Sequence, residues 1–324
     1  MSKGLIELFL TRLENSAGIS LSRREFMKTH AKGALLLAAA SSGMMIPRIA
    51  DAASTPDLGI AVGNPGPAAR AAVNLMGGMK ALVKPGSKVV IKPNMSFAKP
   101  AEFATNTHPE IIRELVAMCR EAGAAKIRVL DHPLRPNDLC IQEAKEACRI
   151  FGGDIVHALN TGDFYSEAAI PQGSSLKKTD VMKDVLDADV LISAPVAKSH
   201  GSTGVSLSMK GMMGLILDRG VMHWRYDLHA SIVDLCTLLK PKLVVIDATR
   251  VLSTKGPGGP GLVLKPRTVI ASRDMVAADA MAVQMFEWYG VKMDPHQVRH
   301  IKIAHERGLG RMDIQNLIAR KVVI

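Results

Sequence analysis

Short apolar strands alternate with helices along the chain after residue 57, and this alternation constrains the fold more than any other feature. Lys88–Lys92 and Lys126–Leu130 are predicted strands, and Thr107–Ala122 between them is a predicted helix that stops at Gly123. Strands that are apolar almost throughout are typical of parallel sheets covered by helices on both faces. The sequence therefore predicts an α/β fold with a doubly wound, mostly parallel sheet and helices on both faces.

The rest of the chain continues the pattern without an obvious split, which predicts one α/β domain over residues 53–324. The other predicted strands are Leu58–Val62, Asp154–Leu159, Asp189–Ser193, Lys242–Ile246 and Arg267–Ala271. The other predicted helices are Pro67–Val83, Asn137–Phe151, Asp180–Leu186, Leu228–Leu239, Asp274–Tyr289 and Pro295–Arg307. Residues 160–178 show no regular pattern, and residues 195–218 are rich in Gly, Ser and Met.

The segment before this domain resembles an export signal of the twin-arginine type. Ser22–Lys28 reads S-R-R-E-F-M-K, the 14-residue apolar run Gly33–Ile46 follows, and Ala50-Asp51-Ala52 offers an A-x-A cleavage site. The run is shorter than the roughly 20 residues that span a bilayer. The resemblance implies a signal peptide over residues 1–52, cleavage near Ala52, the twin-arginine translocon as a partner and a periplasmic location. An uncleaved anchor is the alternative.

Composition narrows the possible ligands. The formal net charge is +11, which favours an anionic ligand or an acidic partner. Only 4% of the residues are aromatic and no continuous basic tract occurs, so nucleic acid is not an expected partner. The four cysteines form no C-x-x-C pair and no ferredoxin-type run, which predicts buried free thiols.

Polar side chains cluster directly after several predicted strands. These side chains are Lys92 and Asn94, Asp131 and His132, Lys198 and His200, and Asp247 with Arg250. In doubly wound sheets, ligands bind outside the carboxyl ends of the strands. We therefore expect one site there, with the loops Ser202–Gly204 and Gly256–Pro260 as possible anion contacts. Neither loop is a P-loop or a G-x-G-x-x-G motif, so the sequence does not support nucleotide binding.

The same stretches resemble the family called domain of unknown function 362. The resemblance rests on V-I-K-P-N at residues 90–94, T-N-T-H-P-E at 105–110, A-P-V-A-K-S-H-G at 194–201, the Gly- and Met-rich run 203–216 with Asp218-Arg219, and D-A-T-R-V-L at 247–252. It covers residues 88–282 or so and implies no settled activity. Many relatives carry a ferredoxin-like cluster module. This chain lacks the cysteines for such a module, so we expect no built-in cluster. The sequence does not identify another cofactor.

The leading hypothesis is an exported protein that binds or acts on a small anionic substrate. His200 is the predicted general acid or base, Lys198 a second catalytic group, and Asp247 the residue that orients His200 or a metal. The predicted substrate-binding residues are Lys92, Asn94, Thr107, His108, Lys210, Arg219 and Arg250. Alternatively, Lys210 has only a structural role: its aliphatic stem packs beside apolar strands and its ammonium group extends to solvent.

Three alternatives remain open from the residues alone. His108, His132, His200, His223 or His229 could build a metal site with Asp131, Asp218 or Asp247. The export signal and the family's iron–sulfur associations point instead to a binding or assembly partner of an exported redox enzyme. A substrate-binding protein for transport is a third hypothesis. Such proteins usually have two lobes joined by hinges, and the sequence shows no such division.

Overall fold

A computed structural model describes residues 55–324, and the predicted export motif, apolar run and cleavage site lie outside the described residues. The strands in this range are β1 (Leu58–Val62), β2 (Lys88–Pro93), β3 (Lys126–Asp131), β4 (Val156–Ala158), β5 (Tyr165–Ala169), β6 (Lys178–Met182), β7 (Val190–Ala194), β8 (Val196–His200), β9 (Gly204–Ser206), β10 (Leu243–Leu252), β11 (Val263–Leu264), β12 (Thr268–Ser272), β13 (Glu287–Trp288), β14 (Val291–Lys292) and β15 (Ala319–Val323). The α-helices are α1 (Pro65–Leu75), α2 (Pro109–Glu121), α3 (Asn137–Cys148), α4 (Lys183–Leu186), α5 (Ser208–Gly211), α6 (Val221–Trp224), α7 (Leu228–Leu238), α8 (Met275–Met285) and α9 (Arg299–Glu306).

The main sheet has the strand order β15-β1-β12-β10-β7-β2-β3-β4. The run from β10 to β4 is parallel throughout, whereas β12 is antiparallel to both of its neighbours, β1 and β10. After Pro195, the chain leaves β7 and continues as β8, which pairs with the distal part of β10. The predicted α/β fold with a mostly parallel sheet is confirmed.

Helices cover both faces of this sheet, and the strand residues divide between the two cores. Val89 and Ile91 of β2 pack in the core that also contains side chains of α1, α2 and α3. Val90, which points the other way, packs in the core with α7, α8 and α9. Burial on both faces is why the strands are apolar almost throughout. All four cysteines are buried free thiols, as predicted.

Several predicted boundaries were wrong, and two of the errors matter for the site. Asp180–Leu186 is not one helix, because β6 pairs with β5 in a hairpin and only α4 is helical. The strand predicted over Lys242–Ile246 continues to Leu252, since β8, β11 and β12 supply partners along its whole length. No helix within residues 55–324 has the length and apolarity needed to cross a bilayer.

The core beside α7 and α9 contains an unusual pair of histidines. The rings of His229 and His300 are stacked with their centroids 5.7 Å apart. His300 is fully buried, and neither of its ring nitrogens has a hydrogen-bond partner among the described residues. Burial, then the charges of His229, Lys210 and His200, lower the pKa of His300 from 6.5 to about 3. The ring is therefore neutral in the folded protein at every pH near neutrality.

We expect His300 to make the protein lose stability as the pH falls from 6.5 toward 3. In that window the unfolded chain binds a proton at His300 and the folded chain does not, so acid favours unfolding by up to about 1.4 kcal/mol per pH unit. Urea unfolding of wild type and His300→Leu near pH 7 and near pH 5 measures this slope. The variant should lose less stability than wild type on acidification. A Lys302→Gln change on the same helix is the control, and equal slopes for wild type and His300→Leu would contradict the assignment.

Candidate functional site

A cavity of about 410 Å³ lies at the carboxyl ends of β2 and β3 and along β8. Lys92 lies near the end of β2, Asp131 is the last residue of β3, and Lys198 lies in the middle of β8. Lys210, on α5, and Arg219, in the loop before α6, also line the cavity. Because this is the edge at which α/β sheets bind ligands, the cavity is the candidate site.

Lys92 and Asp131 form a buried ion pair in the cavity wall. The Lys92 Nζ atom lies 3.1 Å from Oδ1 of Asp131 and 2.5 Å from the carbonyl oxygen of Pro93. The backbone amides of Met95 and His132 and the hydroxyl of Ser96 also donate to the Asp131 carboxylate. Burial opposes ionisation, but the charge of Lys92 and the Met95 amide outweigh it and hold the pKa of Asp131 below its usual value. The carboxylate is thus fully engaged and neutralises Lys92.

Gly214 allows this pair to form. A Cβ atom at position 214 would lie 2.4 Å from Oδ1 of Asp131 and 2.7 Å from Cε of Lys92. Contacts this short are closer than packed atoms tolerate, so a side chain here and the ion pair exclude each other. Glycine is the residue that lets the turn after α5 approach the ends of β2 and β3.

Lys198 is equally buried but has no carboxylate partner among residues 55–324. Its Nζ atom donates to the carbonyl oxygen of Thr105 at 2.6 Å and lies 5.4 Å from the centre of the Phe97 ring. Burial lowers the pKa of Lys198 to about 7; Asp131 opposes this shift, and the charges of Lys92 and Lys210 add to it. In a substantial fraction of the molecules, Lys198 is therefore a neutral amine at neutral pH.

Lys210 and Arg219 supply further positive charge. Lys210 is 9% exposed, and its ammonium group makes no hydrogen bond or ion pair with any residue in the described part of the chain. Burial, then the charge of Arg219, lowers the pKa of Lys210 to about 8. Arg219 donates to the carbonyl oxygens of His132 and Pro133 at 2.7 and 3.1 Å, which fastens its loop to the end of β3. Because the Lys210 ammonium has no protein acceptor in this range, water or a ligand in the cavity must supply one.

His200 lines the cavity as a neutral imidazole. Burial, then the charges of Lys210, His223 and Lys198, lowers the pKa of His200 to about 3. Nδ1 of His200 accepts a hydrogen bond from the amide of Ser202 at 3.2 Å, which leaves the ring proton on Nε2. His223 stacks on this ring with the centroids 6.4 Å apart. The His200 ring is thus a hydrogen-bond donor, and its low pKa makes it a weak base.

The structure brings six of the ten predicted site residues into the cavity lining. They are Lys92, Asn94, Lys198, His200, Lys210 and Arg219. Asn94 is also tied to β8, because its Oδ1 atom accepts from the amide of Val196 at 3.1 Å.

The other four predicted residues do not line the cavity and instead take part in contacts that join the segment before α2 to β7 and β10; they are Thr107, His108, Asp247 and Arg250. The hydroxyl of Thr107 donates to the carbonyl oxygen of Ala194, and the ring of His108 caps α2. The buried Asp247 carboxylate accepts from the His108 amide at 2.8 Å and from Arg250 at 2.5 Å.

Asp247 was placed at a strand end because Lys242–Ile246 was predicted as the whole strand. β10 runs on to Leu252, so Asp247 and Arg250 are interior residues of the strand. Thr249 donates two more hydrogen bonds to the Asp247 carboxylate, one from its amide at 3.0 Å and one from its hydroxyl at 2.6 Å. The predicted contact between Asp247 and His200 therefore has no counterpart among the described hydrogen bonds.

From the sequence, Asp131 is predicted at the ligand edge and both Asp131 and His223 are possible metal ligands, but neither has a predicted role in substrate binding, and Gly214 has no predicted role. Asp131 directly follows the predicted strand Lys126–Leu130, which was a usable signal, but nothing local indicated that Lys92 is its partner. Gly214 gave no signal, since its role is visible only as a close approach. Within residues 55–324, no group of three or more His, Cys, Asp or Glu side chains is arranged to hold a metal ion.

Known proteins that are similar to this chain include the following two. A thylakoid-associated protein of Synechocystis sp. is 22% identical over 246 residues, which is 72% of each protein. The lactate racemase apoprotein of Thermoanaerobacterium thermosaccharolyticum is 13% identical, with a TM-score of 0.44 over 69% of this chain. The match spans only 55% of the racemase chain.

A family model matches residues 89–284, which is more than half of the chain and contains every residue of the cavity lining. The matched range contains all the segments on which the resemblance was based. The chain belongs to the family described as Domain of unknown function (DUF362).

Proposed function

We propose that the protein binds a small anionic molecule in the cavity at the ends of β2 and β3. The observation that carries the proposal is Lys210, a residue that is 9% exposed and whose ammonium group lines the cavity without an acceptor within residues 55–324. Lys198 and Arg219 line the same cavity without a carboxylate partner in the described part of the chain. A carboxylate, phosphate or sulfate group would satisfy these donors and neutralise their charge.

The size of the cavity and its charge fit a small, highly polar ligand. A volume of about 410 Å³ is at the lower end of typical ligand sites. The neutral ring of His200 adds an N–H donor that carries no charge, which suits a hydroxyl or carbonyl oxygen beside the anionic group. We place this activity outside the cytoplasm, because residues 22–28 and 50–52 read as an export signal and its cleavage site.

Sulfate is a suitable probe because its charge does not change between about pH 6 and about pH 9. We expect calorimetry to detect binding that weakens as the pH rises, since Lys198 and Lys210 lose their protons near pH 7 and 8. Lys210→Met should weaken binding by about 10- to 100-fold, because a hydrogen bond to a charged group is worth about 1.5–3 kcal/mol.

Lys302→Gln, on the exposed side of α9, removes one positive charge far along the chain from the cavity residues and is the matched control. Its sulfate affinity should equal that of wild type. Binding that is the same in Lys210→Met and wild type, or that strengthens with rising pH, would show that the anion sits elsewhere or not at all.

A further inference from the structure

Two buried lysines of the cavity, Lys92 and Lys198, differ in whether a carboxylate pairs with the ammonium group. Lys92 and Lys198 are each 2% exposed, but Lys92 faces the carboxylate of Asp131 and Lys198 has no carboxylate within ion-pair distance among residues 55–324. The hydrogen-bond partner of Lys198 is a backbone carbonyl oxygen, that of Thr105, and its other polar contact is the face of Phe97. A lysine with a purely structural role normally has its charge paired. The amine of Lys198 is therefore free to act as a reagent.

The surroundings of Lys198 also favour the neutral amine over the ammonium. Burial is the largest cause, and the nearby charges of Lys92 and Lys210 act in the same direction, so that the pKa lies at about 7. Lysines that are desolvated or placed beside another cation are the ones that act as nucleophiles toward carbonyl carbons. One of these cations, Lys210, is also proposed above to hold an anionic group.

We infer that Lys198 is a nucleophile that condenses with a small aldehyde or ketone carrying a carboxylate or phosphate group. The inference rests on the proposed anion-binding function, because Lys210 and Arg219 would hold the acidic group while Lys198 reaches the carbonyl carbon. The N–H of His200 is a donor for the carbonyl oxygen in the same cavity.

The step balances without any oxidant or reductant. The lone pair of Nζ forms a C–N bond to the carbonyl carbon, and one amine proton passes to the former carbonyl oxygen to give a carbinolamine. Loss of that oxygen as one molecule of water, with the second amine proton, gives the imine. Hydrolysis by water reverses both steps and returns the free lysine.

Glyoxylate is the smallest probe with both required groups, and acetaldehyde is its uncharged counterpart. The intact protein is incubated near neutral pH with either compound and cyanoborohydride, which reduces an imine to a stable secondary amine. Peptide mapping by mass spectrometry then compares labelling at Lys198 with labelling at the exposed Lys302. With glyoxylate we expect Lys198 to be labelled about tenfold faster than Lys302, and with acetaldehyde, which lacks the acidic group, we expect a smaller preference.

Sulfate and one variant complete the test. Sulfate should slow labelling of Lys198 in the wild-type protein and leave labelling of Lys302 unchanged, and this measurement needs no variant. Lys198→Met should lose the fast glyoxylate adduct. Sulfate binding without faster labelling of Lys198 overturns the nucleophile and leaves the anion site standing. If glyoxylate and acetaldehyde label Lys198 with the same preference over Lys302, and sulfate does not bind, then both the acidic substrate and the proposed anion-binding function are wrong.

Discussion

Replacing Asp131 with Asn should lower the free energy of unfolding by about 3–5 kcal/mol, the usual cost of leaving a buried charge without its partner. The change keeps the shape of the side chain but removes the negative charge 3.1 Å from Nζ of Lys92. The amide nitrogen also replaces an oxygen that accepts hydrogen bonds from the Met95 amide or the His132 amide. Urea unfolding followed by circular dichroism measures the loss.

The same strand provides a matched control. Lys88, at the start of β2, pairs with Asp187 at 2.8 Å, but both side chains are about half exposed. Asp187→Asn should therefore leave the urea midpoint almost unchanged, since water screens exposed pairs. The double variant Lys92→Met/Asp131→Asn removes both charges and should recover much of the stability that Asp131→Asn loses. A double variant no more stable than Asp131→Asn would show that the unpaired charge of Lys92 is not the cause of the loss.

Gly214→Ala should damage the site directly, because it adds a methyl group against the buried ion pair. The new Cβ atom would lie 2.4 Å from Oδ1 of Asp131 and 2.9 Å from Nζ of Lys92. Overpacking typically costs about 1–3 kcal/mol, and here it also displaces the ion pair that shapes the cavity wall. We therefore expect a lower urea midpoint and weaker sulfate binding in the same variant.

Gly211, at the end of α5, tests whether the effect is specific. A Cβ atom at position 211 would meet nothing within 4 Å outside its own helix backbone. Gly211→Ala should keep or slightly raise stability, because alanine favours a helix over glycine by about 1 kcal/mol. If both alanine variants behaved alike, the close approach of Gly214 to the ion pair would not be the cause.

The predictions of fold class and of the cavity edge depended on local patterns. Each residue of β2 after Lys88 is buried, so the strand is largely apolar in sequence, and its end is marked by Pro93 and Asn94. Lys92 and Lys198 could be placed at the ligand edge because parallel strands present their carboxyl ends together. These properties are carried by short stretches of the chain and need no knowledge of distant contacts.

The sequence by itself determined the α/β class, the strands that form the middle of the sheet, and the cations that line the cavity. The tertiary structure alone decided that Asp131 neutralises Lys92 and not Lys198, and that Gly214 leaves room for that pair. It also decided that β10 extends past Asp247, because the partners that prolong the strand come from other parts of the chain. Periodicity records whether a residue is buried, whereas the choice of partner depends on which distant segments share that interior.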